Sequence, residues 1–340
     1  MSLSQPQGPQ ASRDSTDGND QERLDAREDL LELPGSGIFA WKGAPRYGRQ
    51  DLGYTPGGAQ DRFALRSGNI LLGNDRDTPA LEIVQPPRSI RFLRDCTFVL
   101  TGGRREARLV ERDDATGAGE ARHVERDDVT GAREARLEIP AGDSRPIHHA
   151  VVYHAPAGSE LRITRRILGF RTCLCCREAD GNAMRYVGRA RGPFYRVFDW
   201  PDREGLIRVV AGPEEDRLAD PEDFLGRTWV ASDEMNAMGV RLCPTEDGTL
   251  PETTAEQMVS APVCDGTVQM TPAGPIVLLR DRQTTGGYPR VFVVISADVD
   301  LVAQIGPGDP LRFRRVSQDE ARDVALKQEE ELLELGRWSR

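Results

Sequence analysis

The apolar residues of this chain come in short runs closed by turn residues, and that spacing constrains its fold more than any other feature. "ALEIV", "SIRFL" and "TFVLTGG" follow one another between residues 80 and 103. "HAVVYHAP", "ELRITRRILGFRTCLCC", "LIRVVAGPEEDR", "MGVRL", "GTVQMTP", "PIVLLRD" and "RVFVVISADV" extend the series to residue 299. Runs of this length, rich in Val, Ile, Leu and Phe and bounded by Gly, Pro, Asn or Asp, read as strands. Helical signals are fewer. Asp61 is placed to cap a helix carrying Phe63, Ala64, Ser67, Ile70 and Leu71 on one face, with Gly73-Asn74 as its stop. Asp220 followed by Pro221 starts a short helix. Ser317 and Glu320 make a capping box ahead of a closing helix with Ala321, Val324, Gln328, Leu332 and Leu335 on one stripe. The pattern predicts a mainly β protein, a β-rich α+β chain with few, peripheral helices.

At 340 residues the chain can bury a sizeable core, in two lobes of ordinary domain size. Residues 1–34 are polar, rich in Gln, Asp, Ser and Pro, and are expected to be a disordered tail, with a weak helix over "QERLDAREDLLEL". A first lobe is expected over 35–205, a second over 206–316, and the closing helix over 317–340. The first lobe contains a tandem duplication at 106–133: "EARLVERDDATGAG", then "EARHVERDDVTGAR", then a partial third copy, with the EAR triplets starting at Glu106, Glu120 and Glu134. Two and a fraction copies of a 14-residue unit cannot build a solenoid. They read as a strand–turn–strand element lengthened by duplication, with a charged binding arm as the alternative. "GNAMRYVGRARGPF" reads as a loop.

Net charge is −10, from 45 basic and 55 acidic residues, which argues against a general nucleic-acid role. No apolar stretch approaches the roughly 20 residues of a membrane span, and the N-terminal residues lack a signal-peptide core, so a soluble, cytoplasmic protein is expected. The lysines are Lys42 and Lys327; nearly all positive charge is arginine. That excludes a P-loop lysine or a Schiff base elsewhere in the chain. Neither lysine is flanked by methionines, so no covalent biotin is expected on this chain. The cysteines Cys96, Cys173, Cys175, Cys176, Cys243 and Cys264 lack paired Cys-x2-Cys units and read as free thiols, with Cys173 and Cys175 alternating in a strand. In "PIHHAVVYHAP" a continuous strand would set His148 and His154 on one face, but no carboxylate is placed to complete a metal or catalytic site, and no metal is expected.

One segment fits none of these plain roles. "LLRDRQTTGGYPRV", residues 278–291, is too polar for core, too elaborate for a two-residue hairpin and lacks the lysine of a phosphate loop. Its bland reading is a tight connection, Gly supplying positive φ and Pro the stop. A long polar loop between apolar strands is also where sites are built.

The run from Gly266 to Ala321, with Gln269, Pro275, D-R-Q-T-T-G-G-Y-P at Asp281–Pro289 and P-G-D at Pro307–Asp309, resembles the C-subunit family of 5-oxoprolinase. That family is also called allophanate hydrolase subunit 2 or biotin-dependent carboxyltransferase (subdomains A and B). Upstream, "QDLGYTPGGAQDRFALRSGNILLGN" is similar to the family's Q-x-L-G-x-x-P-G-G-A-M-D…N-x-L-x-G-N segment, and "RVVAGPEEDR" to its strand–G-P-x-x-D element. The likeness spans about residues 46–325. The chain departs from the family in four places. "FAWKGAPRYG" stands where members carry T-T-V-Q-D-L-G-R-P-G, and Ala237 in "EMNAMGVRL" stands at the arginine of S-D-R-M-G-x-R-L. The family's long Gly- and Arg-rich loop is shortened and altered around "CREADGNAMRYVGRARG", and the 14-residue duplication has no family counterpart.

The resemblance implies cyclophilin-like β-barrel architecture and a chain that works with a second carboxyltransferase-type partner, the B-type one; a third, lactam-binding partner is also expected. It implies ATP-dependent opening of 5-oxoproline to glutamate, with ATP used at the level of the complex. Two alternatives stay open: a catalytically reduced paralogue acting as a structural or regulatory partner, and a biotin-dependent carboxyltransferase of the urea carboxylase kind. A lactam resists water until its carbonyl oxygen becomes a leaving group, so backbone N–H groups are wanted around the developing charge. Thr284, Thr285, Gly286 and Gly287 are the candidate cradle, joined by Gly57 and Gly58. Asp281 is the candidate proton acceptor, with Gln283, Gln269 and Tyr288 orienting the carbonyl. Asp61 is a second candidate acid, or simply the helix cap. For Arg46, Arg241 and Arg282 surface charge or an ion pair is expected.

Overall fold

The computed structural model describes residues 29–111, 144–179, 205–245, 248–253 and 258–338. Strands β1 (Leu31–Glu32), β2 (Ile38–Lys42), β3 (Ala80–Gln85), β4 (Ile90–Phe92), β5 (Cys96–Val110), β6 (Ser144–Pro146), β7 (Tyr153–Ala155) and β8 (Glu160–Glu178) form one sheet. Helix α1 (Arg62–Leu71) lies between β2 and β3 in the chain. The rest comprises β9 (Leu206–Ala211), α2 (Pro221–Gly226), β10 (Trp229–Met235), β11 (Gly239–Pro244), β12 (Ala261–Pro262), β13 (Thr267–Thr271), β14 (Gly274–Leu278), β15 (Thr285–Gly286), β16 (Arg290–Val294), α3 (Ser296–Ala303), β17 (Pro310–Arg315) and α4 (Gln318–Trp338). Seven of these strands close a barrel in the order β10-β11-β14-β13-β16-β9-β17. The mainly β expectation holds, and no helix among the described residues is long and apolar enough to cross a membrane.

The sheet is organised on β8, which pairs with β5 along one edge and with β4 and β3 along the other. Both β5 and β8 run through glycines in left-handed conformation, Gly102 (φ +70°) and Gly169 (φ +68°), and the β5–β8 register shifts next to Gly102. Glycine inside a strand marks a bulge or a close backbone approach. Here "TGG" continues the strand rather than ending it, and the start of the first EAR copy, Glu106–Val110, is the last part of β5. The remaining copies lie outside the described residues. One sheet face packs Leu81, Phe98, Leu100, Leu174 and Tyr153 together; the other carries Ala80, Val99, Cys173 and Cys175 against Ala64 and Leu65 of α1.

The barrel core holds Ile207, Val209, Trp229, Val240, Val268, Met270, Val277, Phe292, Val294 and Phe313. Phe224 of α2 enters it, its ring 4.8 Å from Trp229 and 5.2 Å from Phe292. Asp220 caps α2 through the Glu222 and Asp223 amides, with Pro221 first in the helix as expected. Ser317 caps α4 through the Glu320 amide, while the Glu320 carboxylate pairs with Arg314 at 2.7 Å. Leu332 and Leu335 of α4 pack on Phe63 and Ile70 of α1.

Four expectations are corrected. "ISADV" is the start of α3 and not strand: Ala297, Val299, Val302 and Ala303 are buried, so no polar face shows a helical period, and Ile295 supplies no side-chain cap. Order reaches further toward the N-terminus than residue 34, because Leu31 pairs with Phe92 and both Leu30 and Leu31 are buried. The weak helix drawn through "LLEL" is therefore strand at Leu31–Glu32; the part before residue 29 lies outside the described residues, as does "GNAMRYVGRARGPF". His148 and His154 do not share a strand, because a turn at His149–Ala150, with Ala150 at φ +59°, separates them.

Candidate functional site

Strands β14 and β16 are not adjacent in the barrel; β13 lies between them. The connection, residues 279–289, must therefore cross one end of β13, which is why it is long. It hangs on the Gln269 side chain, only 3% exposed on β13. The Gln269 amide donates to the Tyr288 carbonyl (3.3 Å) and its oxygen accepts from Gln283 Nε2 (3.3 Å). A Cβ at Gly286 would overlap the Gln269 amide and displace it from these bonds. The loop is also strapped from outside: β12 pairs with β15, Val263 donates to the Thr284 carbonyl (3.1 Å) and Met258 to that of Gly287 (2.9 Å). Arg282, 4% exposed, is held by Asp265 (2.9 Å) and donates to the Gln283 carbonyl (3.1 Å).

The other half of the site comes from the first sheet. In the β2–β3 register Ala40 opposes Glu82 and Lys42 opposes Ala80, and on β8 Cys173 opposes Glu82. Alternation then sets Lys42, Glu82 and Arg171 on one face. Lys42 Nζ reaches Asp281 Oδ2 at 2.7 Å, the two side chains being 21% and 25% exposed. The Gly57 N–H donates to the Arg280 carbonyl (3.1 Å), Thr55 Oγ1 to the same oxygen (3.0 Å), and a Cβ on Gly57 would lie 3.7 Å from Asp281 Oδ1. The Asp281 N–H is bonded to the Ala237 carbonyl at 3.1 Å.

Next to this pair runs a buried polar seam. Arg280 donates to the Gln60 carbonyl (2.5 Å) and to Asp300 (2.8 Å), which also accepts from the Arg62 and Phe63 amides at the start of α1 (3.0 and 3.3 Å). Asp61 accepts from the Ala64 amide (2.8 Å) and from Gln304 Nε2 (2.5 Å). Gln304 Oε1 accepts from the Phe170 and Arg171 amides at 2.9 and 3.0 Å. Glu82 accepts from the Gln60 amide (2.7 Å) and faces Arg171 at 3.6 Å. Burial, and then the neighbouring Asp300, push the Asp61 carboxyl up to about 7. Burial likewise raises Glu82, against the opposing pull of Arg171. It also lowers Arg171.

Of the residues singled out in the sequence, Gln269, Gln283, Gly286 and the Tyr288 backbone form one cluster, and Asp281, Gly57 and Gly58 a second beside it. The bland reading of the loop as a turn with left-handed glycines does not apply at 286: Thr285–Gly286 is extended and pairs with β12, and the left-handed pair is Gly57 (φ +61°) and Gly58 (φ +88°). Thr285 is exposed, and Thr284 and Gly287 are half-buried. Asp61 fills the capping role, with both oxygens occupied and 3% exposure. Arg282 is ion-paired as expected, and Arg241 pairs with Glu234 at 3.1 Å. Sequence reasoning missed Lys42, Glu82, Arg171, Arg280 and Gln304. One signal was available for Lys42, one of two lysines among 45 basic residues. Among the described residues no group of three or more His, Cys, Asp or Glu is arranged to hold a metal ion, and Cys173, Cys175 and Cys176 are buried free thiols.

The candidate site thus lies where a loop of the closed barrel meets the neighbouring sheet. The family described as carboxyltransferase domain, subdomain A and B, matches residues 52–136 and 195–315, and the chain belongs to that family. It is 33% identical over 316 residues to the C-subunit of 5-oxoprolinase from Escherichia coli, covering 86% of this chain and 93% of the relative. Urea amidolyase of Saccharomyces cerevisiae is 24% identical over 87% of this chain, which spans 17% of that larger protein. The crystal structure of K. lactis urea amidolyase shares the fold, with a TM-score of 0.68 at 18% identity, over 90% of this chain and 20% of that one.

Proposed function

We propose that this chain is the C-type component of an ATP-dependent lactam hydrolase of the 5-oxoprolinase class, acting with a B-type carboxyltransferase partner. The observation that carries the reading is the meeting of two segments more than 200 residues apart in sequence. The P-G-G-A-x-D and D-R-Q-T-T-G-G-Y-P segments join where Gly57 donates to Arg280 and flanks Asp281. The 33% identity to a 5-oxoprolinase component supports the same substrate class.

In this reading Asp281 accepts the proton lost when water adds to the lactam carbonyl carbon, a role that needs an accessible, partly exposed carboxylate. Gln283, held by Gln269, presents an amide to the carbonyl side of the ring. The carbonyl oxygen is first phosphorylated at the expense of ATP. After water adds, the ring C–N bond breaks, and its nitrogen takes up the proton that Asp281 accepted. A second water then hydrolyses the resulting acyl phosphate to glutamate and phosphate. ATP use belongs to the assembled complex; the lysine of the site, Lys42, is on a strand and not in a phosphate loop. A third, lactam-binding partner belongs to the same proposal.

The test is reconstitution with B-type and lactam-binding partners from the same source, measuring glutamate released from 5-oxoproline with and without ATP. ATP-dependent release that falls about 10²-fold or more in Asp281→Ala supports the reading. Release equal in wild type and Asp281→Ala overturns it. Activity appearing only with a biotinylated carrier and urea would assign the chain to carboxyl transfer instead.

A further inference from the structure

The proposed reaction leaves Lys42 without a role, yet it makes the closest contact to the Asp281 carboxylate. Its ammonium has three N–H donors and spends one on Asp281 Oδ2, at 2.7 Å. Asp281 Oδ1 points to the space beside Gly57, where a Cβ would come within 3.7 Å. Two adjacent recognition elements of opposite sign, both partly exposed, therefore lie beside Gly57. One is an acceptor oxygen at a position kept clear by glycine, and the other is a cation with further donors to offer. Neither side chain is sealed in, at 21% and 25% exposure. The strand carrying Lys42 is anchored: the neighbouring Gly43 carbonyl accepts from the Ala59 N–H (3.1 Å), and a Cβ on Gly58 would sit 2.9 Å from the Pro45 nitrogen. The ammonium is thus held against the glycine turn rather than left on a loose surface arm.

A donor N–H with a carboxylate on the adjacent carbon complements this arrangement. We infer that Lys42 and Asp281 form a two-point specificity site for a cyclic amide bearing a carboxylate next to its ring nitrogen: Asp281 accepts the ring N–H and Lys42 binds the carboxylate. The inference rests on the lactam reading above and names which lactams the site prefers. Lys42 is a specificity-determining residue that touches substrate, and the alternative is a purely structural tie between sheet and barrel.

The experiment compares binding of 5-oxoproline with that of 2-pyrrolidinone, the same ring without the carboxylate. Calorimetry is carried out on the full-length chain, alone and with the partner proteins used for hydrolysis. Wild type is expected to prefer 5-oxoproline by at least about tenfold, the span of one well-formed charged contact. Lys42→Gln is expected to abolish the preference, and Lys42→Arg to keep most of it. The double variant Lys42→Gln/Asp281→Asn leaves no charge unpaired and gives the same answer should the single variant fail to fold. No preference in wild type, no binding of either ring, or a preference surviving Lys42→Gln overturns the inference. Glutamate release on the same preparations separates the two proposals. Release with an unchanged preference in Lys42→Gln defeats only the role of Lys42. A Lys42-dependent preference without any ATP-dependent release defeats only the hydrolase reading.

Discussion

Gln304 Nε2 donates to Asp61 Oδ2 at 2.5 Å, joining the last turn of α3 on the barrel side to the N-cap of α1 on the sheet side. The same amide donates to the Arg171 carbonyl, and its oxygen accepts from two consecutive β8 amides. Gly102, Gly103 and Gly169 all pack around this side chain, with Cβ positions 3.0, 3.0 and 2.8 Å from its amide atoms. The bulge in the long strands thus receives a single buried glutamine that holds both lobes in register. Because Gly57, Asp281 and Lys42 come from opposite sides of that seam, its rigidity sets their spacing.

Gln304→Ala is expected to lower stability by about 3 kcal/mol, since several buried donors and acceptors lose their partner together at roughly 1 kcal/mol or more each. Urea denaturation followed by tryptophan fluorescence measures this. A loss below about 1 kcal/mol would show that water replaces the amide and that the seam tolerates solvent.

The Asp61 carboxyl, raised to about 7 by burial and by Asp300, gives stability a definite sign with pH. The folded state holds this proton more tightly than the unfolded chain, whose carboxyl titrates near 3.8. Its contribution is therefore complete below about pH 4 and is lost as pH rises through about 7. Arg280 and Arg171 oppose the shift, and Glu82 lies in the same seam. Denaturation midpoints of wild type and Asp61→Asn between pH 5 and 8.5 should differ by an amount that moves against wild type as pH increases. A difference that stays constant over this range would mean that Asp61 is ionised throughout it.

The barrel and sheet were readable because their strands are short, apolar and punctuated, and because Asp61, Asp220 and Ser317 announce their helices. The α3 helix was not, since a helix buried on most sides shows no amphipathic period. The site was half readable. Asp281, Gln283 and Gln269 stand out as polar residues among strands. Lys42 and Glu82 show themselves only through the register of β2 on β3, which a one-dimensional pattern does not contain. A glycine's reason is equally hidden in one dimension: a Cβ at Gly286 would overlap the Gln269 amide, and the left-handed pair is Gly57–Gly58.

Gly286→Ala is expected to push Gln269 and Gln283 out of line, because the new Cβ would overlap the Gln269 amide. Turnover should fall by at least about tenfold, while Tm drops by only a few degrees, since the strain falls on a partly exposed loop rather than on the barrel core. An undiminished kcat would remove the glutamine pair from the chemistry.

Gly57→Ala separates the site from the backbone around it. Its φ of +61° makes any side chain costly, by about 1–2 kcal/mol, and so does the +83° of Gly158, where an added Cβ meets nothing within 4 Å. The two alanine variants should therefore lose similar stability. They should differ in function, because only the Cβ at 57 reaches Asp281 Oδ1, at 3.7 Å, and takes the space in which a ring N–H would approach. Glutamate release by the assembled complex is expected to fall at least about tenfold in Gly57→Ala and to stay near wild type in Gly158→Ala, at matched temperature below both unfolding transitions. Equal losses in both would trace the effect to stability alone and leave the opening beside Asp281 without a ligand.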